Sequence, residues 1–224
     1  MKKIFQFLPI ALLFSVSAYA QYGSNSQTPV TDNLGNPIPV STFAKVKGSP
    51  YVYDDWVPGQ ITNLDGKTFK GLMLKFDESN NLLTFVYNKG DEPQRFATPV
   101  KIFTLYGDRE RVFASQFPKI DGLKSDTYYE VIAAGKTMLL KHNKVSIRQT
   151  RDDNNAPIDG RYTETRTYYI FRDNKIARIK PNREQLLAVL NDKAPQLKSY
   201  IDSQKINFNN EDDLKKLITY YNGL

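Results

Sequence analysis

Between Tyr51 and Lys180 the chain is cut at short intervals by turn-forming residues, and this punctuation leaves room for short strands and little else. Asp65-Gly66 separates Gln60 to Leu64 from Thr68 to Phe76. Asp-Gly tolerates positive φ at both central turn positions, which a tight hairpin demands. Asp77-Glu78-Ser79-Asn80 and Asn88-Lys89-Gly90-Asp91 bracket a strand at Asn81 to Tyr87. Further strands are predicted at Gln94 to Ala97, Val100 to Leu105, Arg111 to Phe117, Tyr128 to Ala133 and Lys136 to Leu140. Gly107-Asp108, Asp121-Gly122 and Ala134-Gly135 punctuate them. Lys141-His142-Asn143-Lys144 reads as a link between strands, with His142 solvated. Val145 to Thr150 and Tyr162 to Arg172 flank a polar loop, and Asp173-Asn174 leads into Lys175 to Lys180. Such spacing predicts an antiparallel meander forming a sandwich, a rolled sheet or an open barrel.

After Pro181 the period changes. Asn182 is placed to cap a helix bearing Leu186, Leu187, Val189 and Leu190, and Pro195 suits the first turn of a second. Asn210 precedes Glu211-Asp212-Asp213, a capping side chain followed by acids where the helix dipole favours them. Leu214, Leu217, Ile218 and Tyr221 then make one apolar stripe. The fold class is therefore mainly β with a small α-helical C-terminal segment (α+β), the helices burying their stripes on the sheet.

The N-terminus predicts the compartment. Lys2 and Lys3, an apolar run from Ile4 to Val16, and Ala18-Tyr19-Ala20 have the anatomy of a secretory signal peptide. The run is shorter than the roughly 20 residues a spanning helix needs. Ser, Asn, Gly and Pro dominate the next stretch, with Ile38 to Val40 and Phe43 to Val46 as candidate edge strands. The chain thus divides into a signal peptide at 1–20, a flexible leader at 21–47, a β-rich domain at 48–180 and a helical segment at 181–224. Cysteine is absent, so neither a disulfide nor a cysteine-linked lipid anchor is available. No later stretch is apolar enough to span a membrane as a helix. A lipid-embedded barrel fits poorly, because Glu164 and Arg166 alternate in phase with Tyr168 and Ile170.

Recognisable catalytic chemistry is scarce. His142 is the only histidine, and no Gly-x-Ser-x-Gly elbow, phosphate loop or His-Glu-x-x-His helix occurs. The oxygens of Asp152, Asp153, Asn154, Asn155 and Asp159 miss EF-hand spacing, with Pro157 where a ligand is wanted. No catalytic, metal or cofactor site is therefore assigned. Paired-carboxylate hydrolysis of glycans draws on Asp54, Asp55, Glu78, Glu130 and Glu164, but spacing selects no pair. Aromatic residues are better placed for binding: Tyr51, Tyr53 and Trp56 cluster, while Tyr128-Tyr129 and Tyr168-Tyr169 put one ring on each sheet face. Between Lys136 and Arg183, 12 basic residues stand against 5 acidic ones. Lys144, Arg148, Arg166, Arg172, Arg178 and Lys180 are the candidate face for an anionic partner.

Gly48-Ser49-Pro50-Tyr51, then Asp55-Trp56-Val57-Pro58-Gly59, resembles the opening of a group of small exported proteins of Bacteroidota. Lys180, Leu186-Leu187, Tyr200-Ile201, Lys205, Glu211-Asp212-Asp213-Leu214 and Tyr220-Tyr221-Asn222 are similar to its ending. The resemblance implies export and a β-plus-helical layout, and it brings no activity, cofactor or catalytic residue. The functional expectation is a non-catalytic binding or scaffolding protein of the periplasm or outer-membrane periphery, or outside the cell. Its partners would be anionic envelope polymers, lipid headgroups or an envelope protein, with no nucleic acid and no membrane span after signal removal. The alternative is a glycan-directed hydrolase with paired carboxylates. Mass spectrometry of native material is expected to find a mature terminus at Gln21; an intact Met1 terminus would refute export.

Overall fold

The computed structural model describes residues 30–31, 37–38, 46–150 and 159–224. The predicted signal peptide, most of the leader and the heart of the Asp152–Asp159 polar loop lie outside the described residues. β1 (Val30–Thr31) and β2 (Pro37–Ile38) pair antiparallel as a separate two-stranded sheet. Everything else β-structured belongs to one sheet of eleven strands. β3 (Val46–Lys47) is followed by β4 (Val57–Asn63), β5 (Thr68–Asp77), β6 (Leu82–Val86) and β7 (Gln94–Arg95). β8 (Val100–Tyr106), β9 (Glu110–Ala114) and β10 (Tyr129–Ala133) come next, then β11 (Thr137–Thr150), β12 (Asp159–Arg172) and β13 (Lys175–Ile179). Spatial order is β13-β12-β11-β10-β9-β8-β4-β5-β6-β7, antiparallel throughout, and β3 lies parallel against Gly160 and Arg161 of β12.

The predicted β4–β5 hairpin forms around Asp65-Gly66, with Gly66 at φ 79°. One difference from expectation matters. Lys136 to Leu140 and Val145 to Thr150 are not two strands, because β11 runs unbroken through Lys141-His142-Asn143-Lys144 and pairs residue for residue with β12. The stretch contains no Gly or Pro to turn it. Lys141 and Asn143 find partners inside the fold instead.

The sheet is open at its edges yet strongly rolled. β5 and β11 are five strands apart, about 24 Å in a flat sheet. The turn after β5 nevertheless reaches β11 and β10: Asn143 Nδ2 donates to Glu78 Oε1 at 2.8 Å, and Tyr128 N donates to Asn81 Oδ1 at 2.9 Å. Residues 46–52 strap the roll. They leave the β12 edge at Lys47 and reach β5, where Val52 N donates to Phe76 O.

One row of cross-strand neighbours explains the layering. Ile61, Phe103, Phe113, Glu130, Lys141, Tyr168 and Ile179 follow one another across seven strands. The Ile61 end belongs to an aromatic core in which the rings of Phe103 and Phe113 stack at 4.8 Å and Phe76 packs edge-on. The Ile179 end belongs to a second core, where Ala133, Leu139, Ile170 and Ile179 meet the helices. The opposite sheet face carries a third core, around Phe117, Tyr129, Leu140 and Tyr169. As expected, Tyr128 and Tyr129 lie in different cores.

The helical segment forms as its caps predict. α1 (Arg183–Val189) is capped by the Asn182 side chain, a short 3-10 turn follows at Asn191–Lys193, and α2 (Ala194–Gln204) carries Pro195 in its first turn. α3 (Glu211–Asn222) is capped by Asn210, which accepts from Asp212 N and Asp213 N. Leu214, Leu217, Ile218 and Tyr221 are buried against the sheet. Leu217→Ala is expected to destabilise the fold by about 3 kcal/mol in urea unfolding, from lost burial plus the cavity left behind.

Candidate functional site

The charged pair at the centre of the cross-strand row is buried where an apolar pair would be ordinary. Lys141 is 4 % exposed, and its Nζ lies 2.8 Å from Glu130 Oε2 on the adjacent strand. The same ammonium donates to both carboxylate oxygens of Glu211, at 2.8 and 3.0 Å. Glu211 opens α3, where an acid also suits the helix dipole. Arg111 grips Glu130 with two bonds, Nε to Oε1 at 2.9 Å and Nη2 to Oε2 at 2.7 Å. Tyr168 donates its hydroxyl to Glu211 at 2.8 Å. Burial opposes ionisation of Glu130, but hydrogen bonding and charge from Arg111, with Lys141 adding to both, hold its carboxyl below the usual range. This network locks strand to strand and sheet to helix.

Two cavities flank the strap. The smaller, about 330 Å³, opens beside the charged network and is walled by Arg109, Arg166, Glu164, Asn143 and Glu78. Glu164 pairs with Arg166 at 3.0 Å. The larger, about 850 Å³, is a groove on the other side, floored by His142, Lys144, Thr165 and Thr167 of the β11–β12 hairpin. Its rim includes Tyr169, Arg178, Asp121 and the turn Asp77 to Asn81. Tyr51, Glu78, Val145 and Tyr162 border both cavities.

The acids of the groove are engaged. Asp77 accepts from Ser79 N, Ser79 Oγ, Asn80 N and Asn80 Nδ2, which closes the β5–β6 turn. Asp121 accepts from Tyr169 at 3.1 Å and lies 3.7 Å from Arg178. Glu78 accepts from Asn143; burial lifts its pKa above the ordinary value, outweighing the Asn143 bond and the Arg111 charge. His142 is pushed down, first by burial and then by Lys144, so the ring is neutral at neutral pH. Among the described residues Lys144 has no ion pair.

The six basic residues singled out in the sequence do not share one surface. Lys144, Arg148 and Arg178 sit in register with the groove face, opposite Thr165, Arg161 and Tyr169. Arg166 and Arg172 fall on the other face, opposite Asn143 and Thr137. Lys144 and Arg178 line the groove and Arg166 the smaller cavity. Arg172 is occupied in docking the helices: it pairs with Asp192 at 2.9 Å and donates to the Tyr221 hydroxyl. Arg148 and Lys180 are exposed and border neither cavity.

Of the candidate carboxylates, Glu78 and Glu164 share the smaller cavity, and Glu130 lies under it, neutralised by Arg111 and Lys141. Asp54 and Asp55 are exposed and border neither cavity. Among the described residues, no three His, Asp or Glu side chains gather to hold a metal ion. Sequence reasoning missed Lys141, Asn143 and the groove threonines Thr165 and Thr167. The available signal was Lys141-His142-Asn143-Lys144 itself, a polar run continuous in strand period with Leu139-Leu140 and Val145. No protein-family profile, curated protein or solved structure matches the chain.

Lys141→Ala strips one partner from a buried network and is expected to cost about 3–5 kcal/mol of unfolding free energy. Because the Glu130 pKa is depressed on folding, its stabilisation is present above the ordinary value of 4.5 and is lost as pH falls through the lower folded value. Urea midpoints of wild type and Glu130→Gln are therefore expected to converge as pH falls through and below that value.

Proposed function

We propose that this protein is an exported cell-envelope protein that binds, without transforming, an anionic hydroxyl-rich saccharide in the groove beside the strap. One observation carries the reading. Lys144 stands without an ion pair among the described residues, in a concave site of about 850 Å³ whose carboxylates are bonded to other side chains. Lys144 is exposed at the floor of this groove, so an anion bound there meets a cation that need not first give up an ion pair. Tyr51 and Tyr162 supply ring faces or edges against which a sugar packs, and Thr165 and Thr167 supply hydroxyl partners. A concave site with hydrogen-bonding walls suits a sugar chain better than a membrane surface, which asks for a convex or flat basic face. Export comes from the signal-like N-terminus and the resemblance to exported Bacteroidota proteins.

A second reading draws on Glu78 and Glu164, two carboxyl groups on the wall of one concave cavity with tyrosines at its border. Glycoside hydrolysis uses two carboxyl groups on the walls of one cleft. Release of reducing ends from trigalacturonic acid, abolished by Glu164→Gln, would favour hydrolysis over binding.

For the binding reading, titration calorimetry with trigalacturonic acid at low ionic strength is expected to give saturable binding. Lys144→Glu should weaken it at least about tenfold while circular dichroism stays unchanged. Undiminished binding by that variant, or association with phosphatidylglycerol vesicles in place of the oligosaccharide, would remove the groove from the account.

A further inference from the structure

On the wall of the smaller cavity one buried atom lacks the partner its surroundings should supply. Asn143 is 8 % exposed, and its amide nitrogen donates to Glu78 Oε1 at 2.8 Å. Its amide oxygen is buried and has no hydrogen-bond partner. A buried amide oxygen without a donor is costly, by about 1–3 kcal/mol. An ionised carboxylate can only accept, so it satisfies one half of an amide and leaves the other half orphaned. A carboxylic acid presents a donor and an acceptor side by side and satisfies both. An acid meets both ends of the amide whichever way round the amide is turned.

We infer that Glu78, when protonated, pairs acid-to-amide with Asn143, and that its ionisation gates the binding of anions in the adjoining groove. The second clause rests on the binding reading above; the first does not. Glu78 borders the groove as well as the smaller cavity, so its charge acts on whatever Lys144 holds. Protonated, it is neutral and leaves the Lys144 field intact. Ionised, it sets a negative charge beside the ligand and orphans the Asn143 oxygen.

The groups around Glu78 pull in both directions. Burial favours the neutral form most strongly, and the charges of Glu164 on β12 and Glu130 on β10 add to it. The Asn143 bond and Arg111 on β9 favour ionisation, and the balance lies on the neutral side. Lys141, Arg166, Arg109 and Glu211 face the same cavity, already committed to the pairs described above. On the groove side stand Tyr51, Tyr162, Asp77 and Lys144, with Asp121 and Arg178 farther along the rim. His142 also faces the groove, and it too would lose positive charge as pH rises. Any test must separate it from Glu78.

Glu78→Gln does so, since its amide reproduces the donor–acceptor pair of the acid and cannot ionise. In the full folded protein, carbon NMR of carboxyl-labelled glutamate, assigned by the resonance missing in Glu78→Gln, is expected to show Glu78 titrating above the ordinary 4.5. Affinity for trigalacturonic acid should fall at least about fivefold as pH rises through that same midpoint. The step should vanish in Glu78→Gln and persist in His142→Gln. A Glu78 titration at or below the ordinary value overturns the acid–amide pair. A pH step that survives in Glu78→Gln overturns the gate. Absence of oligosaccharide binding at every pH removes the groove reading and the gate together, while the NMR titration still decides the proton.

Discussion

The ammonium of Lys141 is the hinge of the architecture. It lies between a carboxylate on the neighbouring strand and a carboxylate on the first residue of α3, with water nearly excluded. Two acids brought this close would repel one another without it, and it would be an uncompensated buried charge without them. Arg111 fixes Glu130 from the aromatic side and Tyr168 fixes Glu211 from the helical side. Two apolar cores that share no side chain are joined through this polar joint. An apolar pair there would bury as much surface but would not dictate which helix end docks where.

The roll of the sheet follows from contacts at its ends. Glu78 and Asn81, on the turn after β5, reach β11 and β10 five and four strands away, and residues 46–52 cross the gap between β12 and β5. Curling this far leaves hollows that no side chain fills, one on each side of the strap. The groove is thus a by-product of sheet curvature, lined by whatever the strand alternation presents there. On β11 and β12 that is His142, Lys144, Thr165 and Thr167 toward the groove, and Lys141, Asn143, Glu164 and Arg166 away from it.

Local signals carried most of the strands and all three helices. Asp65-Gly66 makes its hairpin, and Asn182 and Asn210 cap the helices they precede, because turn and cap energies depend on neighbours a few residues away. The unbroken course of β11 was not legible. Lys141 looks like a solvated link until Glu211, 70 residues later, closes over it. The basic residues misled for a related reason: a period of two assigns Lys144 and Arg166 to opposite faces only once the β11–β12 register is known. Pairing Glu78 with Glu164 needed the roll as well. No composition or spacing rule encodes a contact made by curvature.

β12 has a partner along its whole length on one side, but on the other β3 reaches only Gly160 and Arg161, and β13 only Tyr168 to Arg172. Among the described residues, the outward backbone from Tyr162 to Thr167 thus meets no neighbouring strand. Such a stretch invites a foreign strand to dock. Here its side chains run Tyr-Thr-Glu-Thr-Arg-Thr, with Glu164 and Arg166 charged and solvent-reaching, a poor template for stacking against a second sheet. The same six residues that border the cavities therefore guard the molecule against polymerising through its own margin.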